Sequence, residues 1–303
     1  MGLDRRSYLN SGTIQLLIKN SMMQYTEQRP SPALAQHLEC LWFVSETDTS
    51  PARGAVERVL PDGCLEWIFH LGAPFQRSTP TGEWERQPRS FVVGELTRFL
   101  LLQPTGPVAV MGVRFRPGGA YRFLPFSLND FTDITIPTGD VWGNKGTYLE
   151  EAVLEAPNNI QRQQLVEEFL LRQLVMTTTR PRFEAAVKEI IRSRGQTRVH
   201  EVAAGVGWGS RQLEREFRVG VGLSPKAFAR IMRFQNLLRL VGEGALREWT
   251  SLALEGGYAD QPHMVREFRE FAGHTPAERG IAAGEFGSYF LSPRRLAALL
   301  GPS

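Results

Sequence analysis

The stretch LALEGGYADQPHMVREFREFAGHTP at residues 252–276 follows the same pattern as the stretch VAAGVGWGSRQLEREFRVGVGLSP at residues 202–225. Both contain, in the same order, an aliphatic residue before Ala, a Gly-aromatic pair, Arg, Phe, Gly and Ser/Thr-Pro. The offset between them is 50 residues up to the aromatic residue and 51 residues from Arg215 and Arg266 onward. So many coincident positions are hard to obtain by chance. They predict two copies of one structural unit.

Each copy has the pattern of a helix-turn-helix. A short first helix carries Ala203 or Ala253, which is small enough for a second helix to pack closely against it. Gly207 or Gly257 can adopt the positive φ that a tight turn needs. The aromatic residue after each glycine fills the angle between the helices. The second helix of each copy then starts directly after the turn.

The second helices are predicted to turn basic residues away from their apolar faces. In the first copy Leu213 and Phe217 are four residues apart and point inward together, which leaves the arginines outside. In the second copy Pro262 fits only the first helical turn, which places the start of the helix near Asp260. Helices of this kind suit the DNA major groove. The candidate DNA-contacting residues are Ser210, Arg211, Gln212, Glu214, Arg215, Arg218, Gln261, Pro262, His263, Arg266 and Arg269.

A longer helix is predicted between the two copies. Ser224 is placed as its N-cap and Pro225 as its first residue, and apolar residues continue to Val241. At ~1.5 Å per residue, such a helix spans most of one DNA turn of ~34 Å. The two second helices are therefore expected to enter successive major grooves on one face of the duplex.

These residues resemble the AraC/XylS family of bacterial transcription regulators. The resemblance covers roughly residues 182–279, and its most specific part is GYADQPHMVREF at 257–268 followed by GHTP at 273–276. It implies a two-part DNA-binding domain that regulates transcription, often through contact with RNA polymerase. By position, it places base-reading roles on Arg211, Glu214, Arg215, Gln261, Pro262, His263 and Arg266.

The chain departs from the family pattern at four positions. Gly209 stands where the first recognition helix usually has a Ser N-cap, and Met264 replaces a common aromatic residue. Pro262 replaces a polar residue and offers no hydrogen-bonding side chain. Arg279 stands where an aromatic residue is expected after Thr-Pro. The second copy therefore has fewer of the family's polar groups available for reading bases.

Length and charge distribution agree with a two-domain DNA-binding protein. The chain has 303 residues, which suggests two domains. Its net charge of +3 comes from 35 basic and 32 acidic residues, but residues 180–280 alone hold 17 basic and 12 acidic residues. That region has a net charge of +5 and the remainder −2. The positive charge coincides with the repeat and predicts double-stranded DNA as the partner.

Targeting and membrane signals are weak in this sequence. The longest apolar runs, such as Phe99–Leu102, are far below the ~18 residues of a membrane span. The first residues alternate charged, polar and apolar side chains, unlike a secretory signal. Cys40 and Cys64 are too few for a disulfide framework. We therefore expect a cytoplasmic protein with no membrane partner.

The first half of the chain is predicted to be β-rich. Short β-branched and aromatic runs at 41–44, 65–69, 90–93 and 108–115 are separated by Gly- and Pro-containing turns. This spacing favours a barrel or a sandwich. The predicted fold class is α+β with two domains: a mainly β N-terminal domain, and an all-α C-terminal domain with two helix-turn-helix subdomains joined by a linking helix.

The expected boundaries divide the chain into five regions. Because Met22 and Met23 precede the first patterned segment, residues before them are expected to be an extension without fixed structure. A helix with Ile160, Val166, Phe169, Leu170 and Leu174 on one face is expected to link the domains. The regions are an extension at 1–24, a β-rich effector-binding or dimerisation domain at 25–157, a linker at 158–179, the DNA-binding domain at 180–280, and a tail at 281–303 that could form a short helix.

The N-terminal half is also similar to a poorly characterised β-rich domain that precedes such DNA-binding domains in some family members. The residues that carry this similarity are ERVLPDGC at 57–64 and GVRFRPGG at 112–119. In the family, an N-terminal domain often binds an effector or dimerises. The resemblance therefore implies a small-molecule effector or a homodimer for this chain.

A ligand pocket in the β-rich domain is predicted from strand residues, because alternation turns some of them inward. The candidates are Trp42, Glu66, Trp67, Arg114 and Arg116. Arg114 and Arg116 are two residues apart and are expected to share a face, which would need an acidic ligand or an acidic partner such as Glu66. Core aromatic residues and a satisfied ion pair are the alternative explanation for these five residues.

Neither metal chemistry nor catalysis is indicated. His37, Cys40, Cys64 and His70 could supply four metal ligands, but small buried cysteines and unrelated histidines explain them better. The sequence contains no Gly-x-Ser-x-Gly, P-loop or dinucleotide-binding motif. We expect no metal, no cofactor and no enzymatic activity.

The sequence thus predicts a sequence-specific DNA-binding transcription regulator controlled by a ligand or by dimerisation through its N-terminal domain. The alternative is a small-molecule-binding or enzymatic β-domain joined to a helical protein-interaction module. The paired Arg-bearing helices favour the regulator.

Overall fold

The computed structural model describes residues 13–18, 21–46, 56–79, 81–174, 179–242 and 248–276, with side chains from residue 23 onward. Two units follow each other along the chain. The N-terminal unit, up to residue 174, contains two antiparallel sheets and three α-helices. The C-terminal unit, from residue 179, contains six α-helices in its described residues. The predicted α+β fold class with a mainly β first domain and a helical second domain is confirmed. The predicted tail helix at 281–303 lies outside the described residues.

The larger sheet has seven strands in the order β1-β2-β3-β10-β5-β8-β11. All of its pairings are antiparallel. Its strands are β1 Thr13–Ile18, β2 Ser21–Gln28, β3 Leu38–Glu46, β5 Glu66–His70, β8 Ser90–Val93, β10 Ala109–Phe115 and β11 Thr135–Pro137.

The smaller sheet has four strands in the order β4-β9-β6-β7. They are β4 Glu57–Val59, β6 Phe75–Ser78, β7 Trp84–Arg86 and β9 Leu100–Pro104. Side chains from both sheets meet between them, so the strands form a sandwich, as predicted.

Strand alternation gives the seven-stranded sheet two different buried faces. Along β5, Trp67 and Phe69 pack with the helices, whereas Ile68 and His70 face the four-stranded sheet. Because both faces are covered, nearly every residue of β5 and β10 is buried. This explains why their sequences read as continuous apolar runs.

Three helices cover the first of these faces: α1 Thr138–Trp142, α2 Asn144–Glu155 and α3 Asn159–Leu174. Trp67 joins them to the sheet, because its Nε1 donates to Thr138 Oγ1 at 2.8 Å and its ring contacts Trp142 and Phe169. Helix α3 was expected to link the domains. It instead packs on the sheet through Val166, Phe169 and Leu170.

Two further expectations about the N-terminal unit are wrong. Residues 13–24, assigned to an unstructured extension, contain β1 and most of β2, and β2 pairs with β3 along its length. Ile160, expected on the buried face of α3, is 64% exposed because it lies in the first turn, beyond the edge of the sheet contact.

The C-terminal unit consists of α4 Pro181–Arg192, α5 Val199–Gly205, α6 Ser210–Gly220, α7 Pro225–Gly242, α8 Trp249–Glu255 and α9 Gln261–Ala272. Helices α5 and α6, and then α8 and α9, form the two predicted helix-turn-helix pairs. Gly207 and Gly257 have φ angles of 69° and 82°, as the turn requires. Their buried side chains share one core with α4 and α7.

Helix caps agree with the sequence. Ser224 Oγ accepts from the backbone N–H of Ala227 at 3.1 Å, and Pro225 opens α7. Asp260 Oδ1 accepts from the backbone N–H of His263 at 2.7 Å and starts α9. At Gly209 no side chain caps α6. The linking helix has 18 residues, or ~27 Å at 1.5 Å per residue.

Residues 57–64, here called the coupling segment, join the two units. Leu60 is 3% exposed and lies in the core of the helical unit. Gln235 Nε2 of α7 donates to the carbonyl of Pro61 at 2.6 Å. Gly63 lies against Met232 and Phe228, where a Cβ would approach to 2.7 Å and 2.9 Å. The linking helix is therefore held directly against the β sandwich.

Both helix-turn-helix pairs also contact the N-terminal unit. Arg58 of the coupling segment donates to the carbonyl of Ala272 at the end of α9. Thr132 Oγ1 donates to the carbonyl of Gly222, just after α6, at 2.6 Å. The N-terminal unit thus contacts the two arms and the helix between them.

Candidate functional site

The first recognition helix, α6, presents a polar face to solvent. Leu213 and Phe217 are fully buried and set the rotation of the helix. The predicted contact residues of this helix are all exposed: Ser210, Arg211, Gln212, Glu214, Arg215 and Arg218. They form one continuous hydrogen-bonding surface.

Charge pairing on α6 is weak. Arg218 Nη2 lies 3.0 Å from Glu214 Oε1, and Arg215 Nη2 lies 3.4 Å from Glu216 Oε1. Arg211 has no ion pair with another described residue. Because exposed pairs of this kind contribute only ~0–1 kcal/mol, they can be exchanged for phosphate or base contacts at little cost.

The second recognition helix, α9, differs at its first turn. Pro262, Arg266 and Arg269 are exposed, whereas Gln261 and His263 are half-buried. Gln261 Oε1 accepts from Thr250 Oγ1 at 3.3 Å, and the ring of His263 packs edge-on to Tyr258. The structure therefore brings three of the five predicted residues to the open surface and ties the other two to neighbouring groups.

Some basic residues of the helical unit stabilise it internally. Glu267 on the inner side of α9 accepts from Arg230 Nε at 2.6 Å and from Arg233 Nη2 at 3.3 Å, both on α7. Glu267 was not singled out from the sequence, where it looks like one more polar residue beside Phe268. Its position three residues after Met264, on the apolar face, was the available signal.

A cavity of about 50 Å³ lies between the two sheets. Its lining is mostly apolar and includes Trp42, Val44, Ile68, Phe75, Phe91, Leu102, Val108 and Val110, with Glu57, His70 and Gln87 as the polar members. The indole of Trp42 lies flat over Gly112, where a Cβ would approach Trp42 Cε2 to 2.0 Å. Gly112 is therefore needed to form this wall of the cavity.

His70 is the polar group buried most deeply in this cavity wall. It is 1% exposed, and its ring packs against Phe75 and Phe91. Its Nε2 lies 3.2 Å from Gln87 Oε1, whereas Nδ1 has no hydrogen-bond partner among the described residues. Burial lowers the pKa of His70 to about 4, so the imidazole is neutral at pH 7. The sequence suggested His70 only as a metal ligand; its spacing of two from Ile68 was the signal that it faces the cavity.

The other predicted pocket residues do not meet at this cavity. Glu66 and Arg114 lie on the same sheet face, but in a buried ion cluster in which Arg114 Nε and Nη1 contact Glu39 and Glu66 at 2.9 Å and 2.5 Å. Arg114 also pairs with Asp62. This is the satisfied ion pair that the sequence left open as the alternative. Trp67 faces the helices.

The expectation that Arg114 and Arg116 share a face is wrong. The pairing of β10 with β3 shifts register between Arg114 and Phe115, and β10 ends at Phe115. Arg116 is consequently exposed, and its Nε donates to the carbonyl of Ala35 at 2.9 Å. A bulge of this kind reverses the alternation on which the prediction depended.

Two searches covered only the described ranges. There, no three His, Cys, Asp or Glu side chains are grouped as metal ligands would be. Over the same ranges, no helix combines the length and apolar character needed to cross a bilayer.

His70 is expected to make the β sandwich less stable as the pH falls. Its pKa is about 4 in the folded chain and near ~6.5 when unfolded, so between these values only the unfolded chain binds the proton. The stabilisation is complete above pH ~6.5 and is lost as the pH falls to ~4, and it amounts to about 3 kcal/mol. Urea unfolding of the wild type and of His70→Phe at a series of pH values measures it. Parallel pH dependences of the two proteins would contradict the expectation.

Family comparisons find two regions of the chain. Residues 202–279 match a family described as a helix-turn-helix domain, and residues 10–137 match a domain of unknown function, DUF6597. The first match contains both helix-turn-helix pairs, and the second contains both sheets. No curated protein matches the chain significantly.

Solved structures with related folds are distant in sequence. ToxT from Vibrio cholerae is 11% identical, with 74% of this chain and 96% of ToxT covered at a TM-score of 0.42. The AraC-like transcriptional activator CuxR is also 11% identical, with 77% and 88% covered at a TM-score of 0.33. The Fe(II) protein HppE is 13% identical, with 38% and 63% covered at a TM-score of 0.26. Likenesses this weak assign no function to this chain.

The tandem helix-turn-helix unit, the linking helix between its arms and the Gly-Tyr-x-Asp-Gln sequence at the start of α9 all lie within or beside the matched region 202–279. On these grounds the chain belongs to the AraC-type helix-turn-helix transcription regulators.

Proposed function

We propose that this protein binds double-stranded DNA sequence-specifically by inserting α6 and α9 into successive major grooves. The observation that carries the proposal is that two helices with exposed arginines, built alike, stand at the two ends of one rigid helix, α7. That helix is ~27 Å long by the α-helical rise, close to the ~34 Å of one DNA turn.

Different residues would have different roles on the DNA. Arg211, Arg215 and Arg266 have a planar fork that suits guanine edges. Arg218 and Arg269, further along their helices, suit phosphates, as do the short polar side chains of Ser210 and Gln212. Pro262 would make an apolar contact, and Gln261 and His263 would hold the start of α9 in place.

Control through the N-terminal unit is the second part of the proposal. The coupling segment contacts α7 and the end of α9, and its first residue, Glu57, lines the cavity. A ligand in that cavity would therefore act on residues that also position the DNA-reading helices. Homodimerisation and contact with RNA polymerase are compatible with this arrangement. The protein would act in the bacterial cytoplasm as a regulator and not as an enzyme.

The decisive experiment is selection of bound sequences from random duplexes by the full-length protein. The proposal expects an enriched site with two conserved blocks centred about 10.5 base pairs apart. A repeat of the whole site would reveal a dimer. Recovery of no preferred sequence would contradict the proposal and would favour a helical protein-interaction module.

Nonspecific affinity should depend steeply on salt. Five exposed arginines lie on the two helices, and each phosphate contact contributes about −0.9 to the log–log slope, which gives a slope of up to about −4.5. Affinity for a random duplex should then fall about 500-fold between ~50 mM and ~200 mM salt. Fluorescence anisotropy across this range measures the slope, and a flat response would contradict electrostatic DNA binding.

A further inference from the structure

We propose that the cavity between the two sheets binds a small uncharged alcohol, whose hydroxyl group donates a hydrogen bond to Nδ1 of His70. This inference rests on the proposed function, because it names the class of effector that would act through the N-terminal unit. It is carried by the lining of the cavity and by the hydrogen-bonding state of one buried side chain.

The walls exclude anionic ligands. Three aromatic side chains, Trp42, Phe75 and Phe91, and five aliphatic ones form most of the surface. None of the described residues that line the cavity is Lys or Arg, and Glu57 is an acidic member of the lining. A carboxylate or phosphate would therefore be desolvated there without a counter-charge, which is strongly unfavourable.

His70 makes the cavity selective for a donor. Gln87 Oε1 is an acceptor, so the contact at 3.2 Å requires the proton of the neutral imidazole to be on Nε2. Nδ1 is then a hydrogen-bond acceptor that is buried and has no donor among the described residues. A ligand hydroxyl group would satisfy it, whereas a ketone or ether oxygen, which only accepts, would not.

The volume limits the size of the group that enters. About 50 Å³ is several times the space needed for one water molecule and about one third of the ~150 Å³ cavity that takes up benzene. The cavity therefore fits a few non-hydrogen atoms. A branched three-carbon alcohol has the required size, apolar body and single donor.

Three probes of equal size test this on the full-length protein: 2-propanol, acetone and acetate. Because a ligand with four non-hydrogen atoms binds weakly, binding is followed by NMR titration at millimolar concentrations. We expect 2-propanol to bind about tenfold more tightly than acetone, to shift the His70 Nδ1 resonance, and to bind far more tightly than acetate. Equal binding of 2-propanol and acetone, preference for acetate, or the absence of binding by 2-propanol would each overturn the inference.

A pair of variants locates the site. His70→Phe keeps an aromatic ring but removes the acceptor, and it should reduce 2-propanol binding about tenfold, to the level of acetone. His37→Phe is the matched control, because His37 is also a buried histidine but packs on Phe123, away from this cavity. Unchanged binding in His70→Phe, or equal loss in both variants, would contradict the site. If His70→Phe does not fold, the comparison of the three probes on the wild type still decides.

The failure of this inference and the failure of the proposed function can be told apart. Selection of a DNA site by the wild-type protein tests DNA binding without any alcohol. If a site is selected and no probe binds, only the ligand inference is overturned. If 2-propanol binds in the expected way and no DNA site is selected, the ligand inference stands and the proposed function fails.

Discussion

Replacing Arg114 with Met will lower the free energy of unfolding of the β sandwich by about 3–5 kcal/mol at pH 7. Arg114 is fully buried and contacts Glu39, Asp62 and Glu66. Removing it leaves three acidic side chains close together with no cation, in a site that water does not reach. Loss of one partner from a buried ion pair costs far more than loss of the whole pair, because the remaining charge is uncompensated.

Urea unfolding followed by tryptophan fluorescence measures this change. The control is Arg172→Met on α3, because Arg172 and Glu168 form an exposed i,i+4 pair whose loss should cost no more than about 1 kcal/mol. Adding Glu66→Gln to Arg114→Met should recover part of the lost stability, since it removes one of the uncompensated charges. Equal effects of Arg114→Met and Arg172→Met would show that the cluster is not buried in solution.

The double variant Arg215→Ala/Arg266→Ala is expected to weaken binding to the selected DNA site by about 30-fold to about 10⁴-fold. Each arginine that reads a base edge contributes about 1–3 kcal/mol to discrimination. The two residues lie on different helices and share no partner, so their contributions should add. Both are exposed, so the variant should fold normally.

The matched control separates position from net charge. Arg192→Ala removes a charge from α4, where Arg192 is exposed and pairs with Glu189, and should change specific binding little. For the double variant, binding to a random duplex should fall much less than binding to the selected site. Fluorescence anisotropy on both duplexes provides the comparison. Equal losses on the two would assign Arg215 and Arg266 to phosphates instead of bases.

The helical unit could be predicted from sequence because its signals are local. Gly207 and Gly257 mark turns, Pro225 and Pro262 mark helix starts, and the repeat confirms each assignment by the other. The N-terminal unit was predicted less well because its decisive features are not local. Whether α3 links domains or covers a sheet depends on contacts with Trp67, about a hundred residues earlier in the chain.

The candidate pocket shows the same limit at the level of single residues. Trp42 was selected from the sequence and does line the cavity, but Arg116 was placed on the wrong face by a register shift that no residue type announces. His70 looked like a metal ligand because a histidine near a cysteine suggests one. Only the fold shows that Phe75, Phe91 and Gln87 surround it.

The coupling segment has a consequence for how such proteins can recombine in evolution. By chain position it belongs to the β sandwich, but Leu60 is buried in the core of the helical unit and Gly63 is matched to Phe228 and Met232. Exchanging the N-terminal unit for that of another regulator would leave an unfilled hole among the helices or force a misfitting side chain into it. Productive exchange therefore has to carry residues 57–64 and their contacts on α7 together, so the two halves of this gene are inherited as a pair.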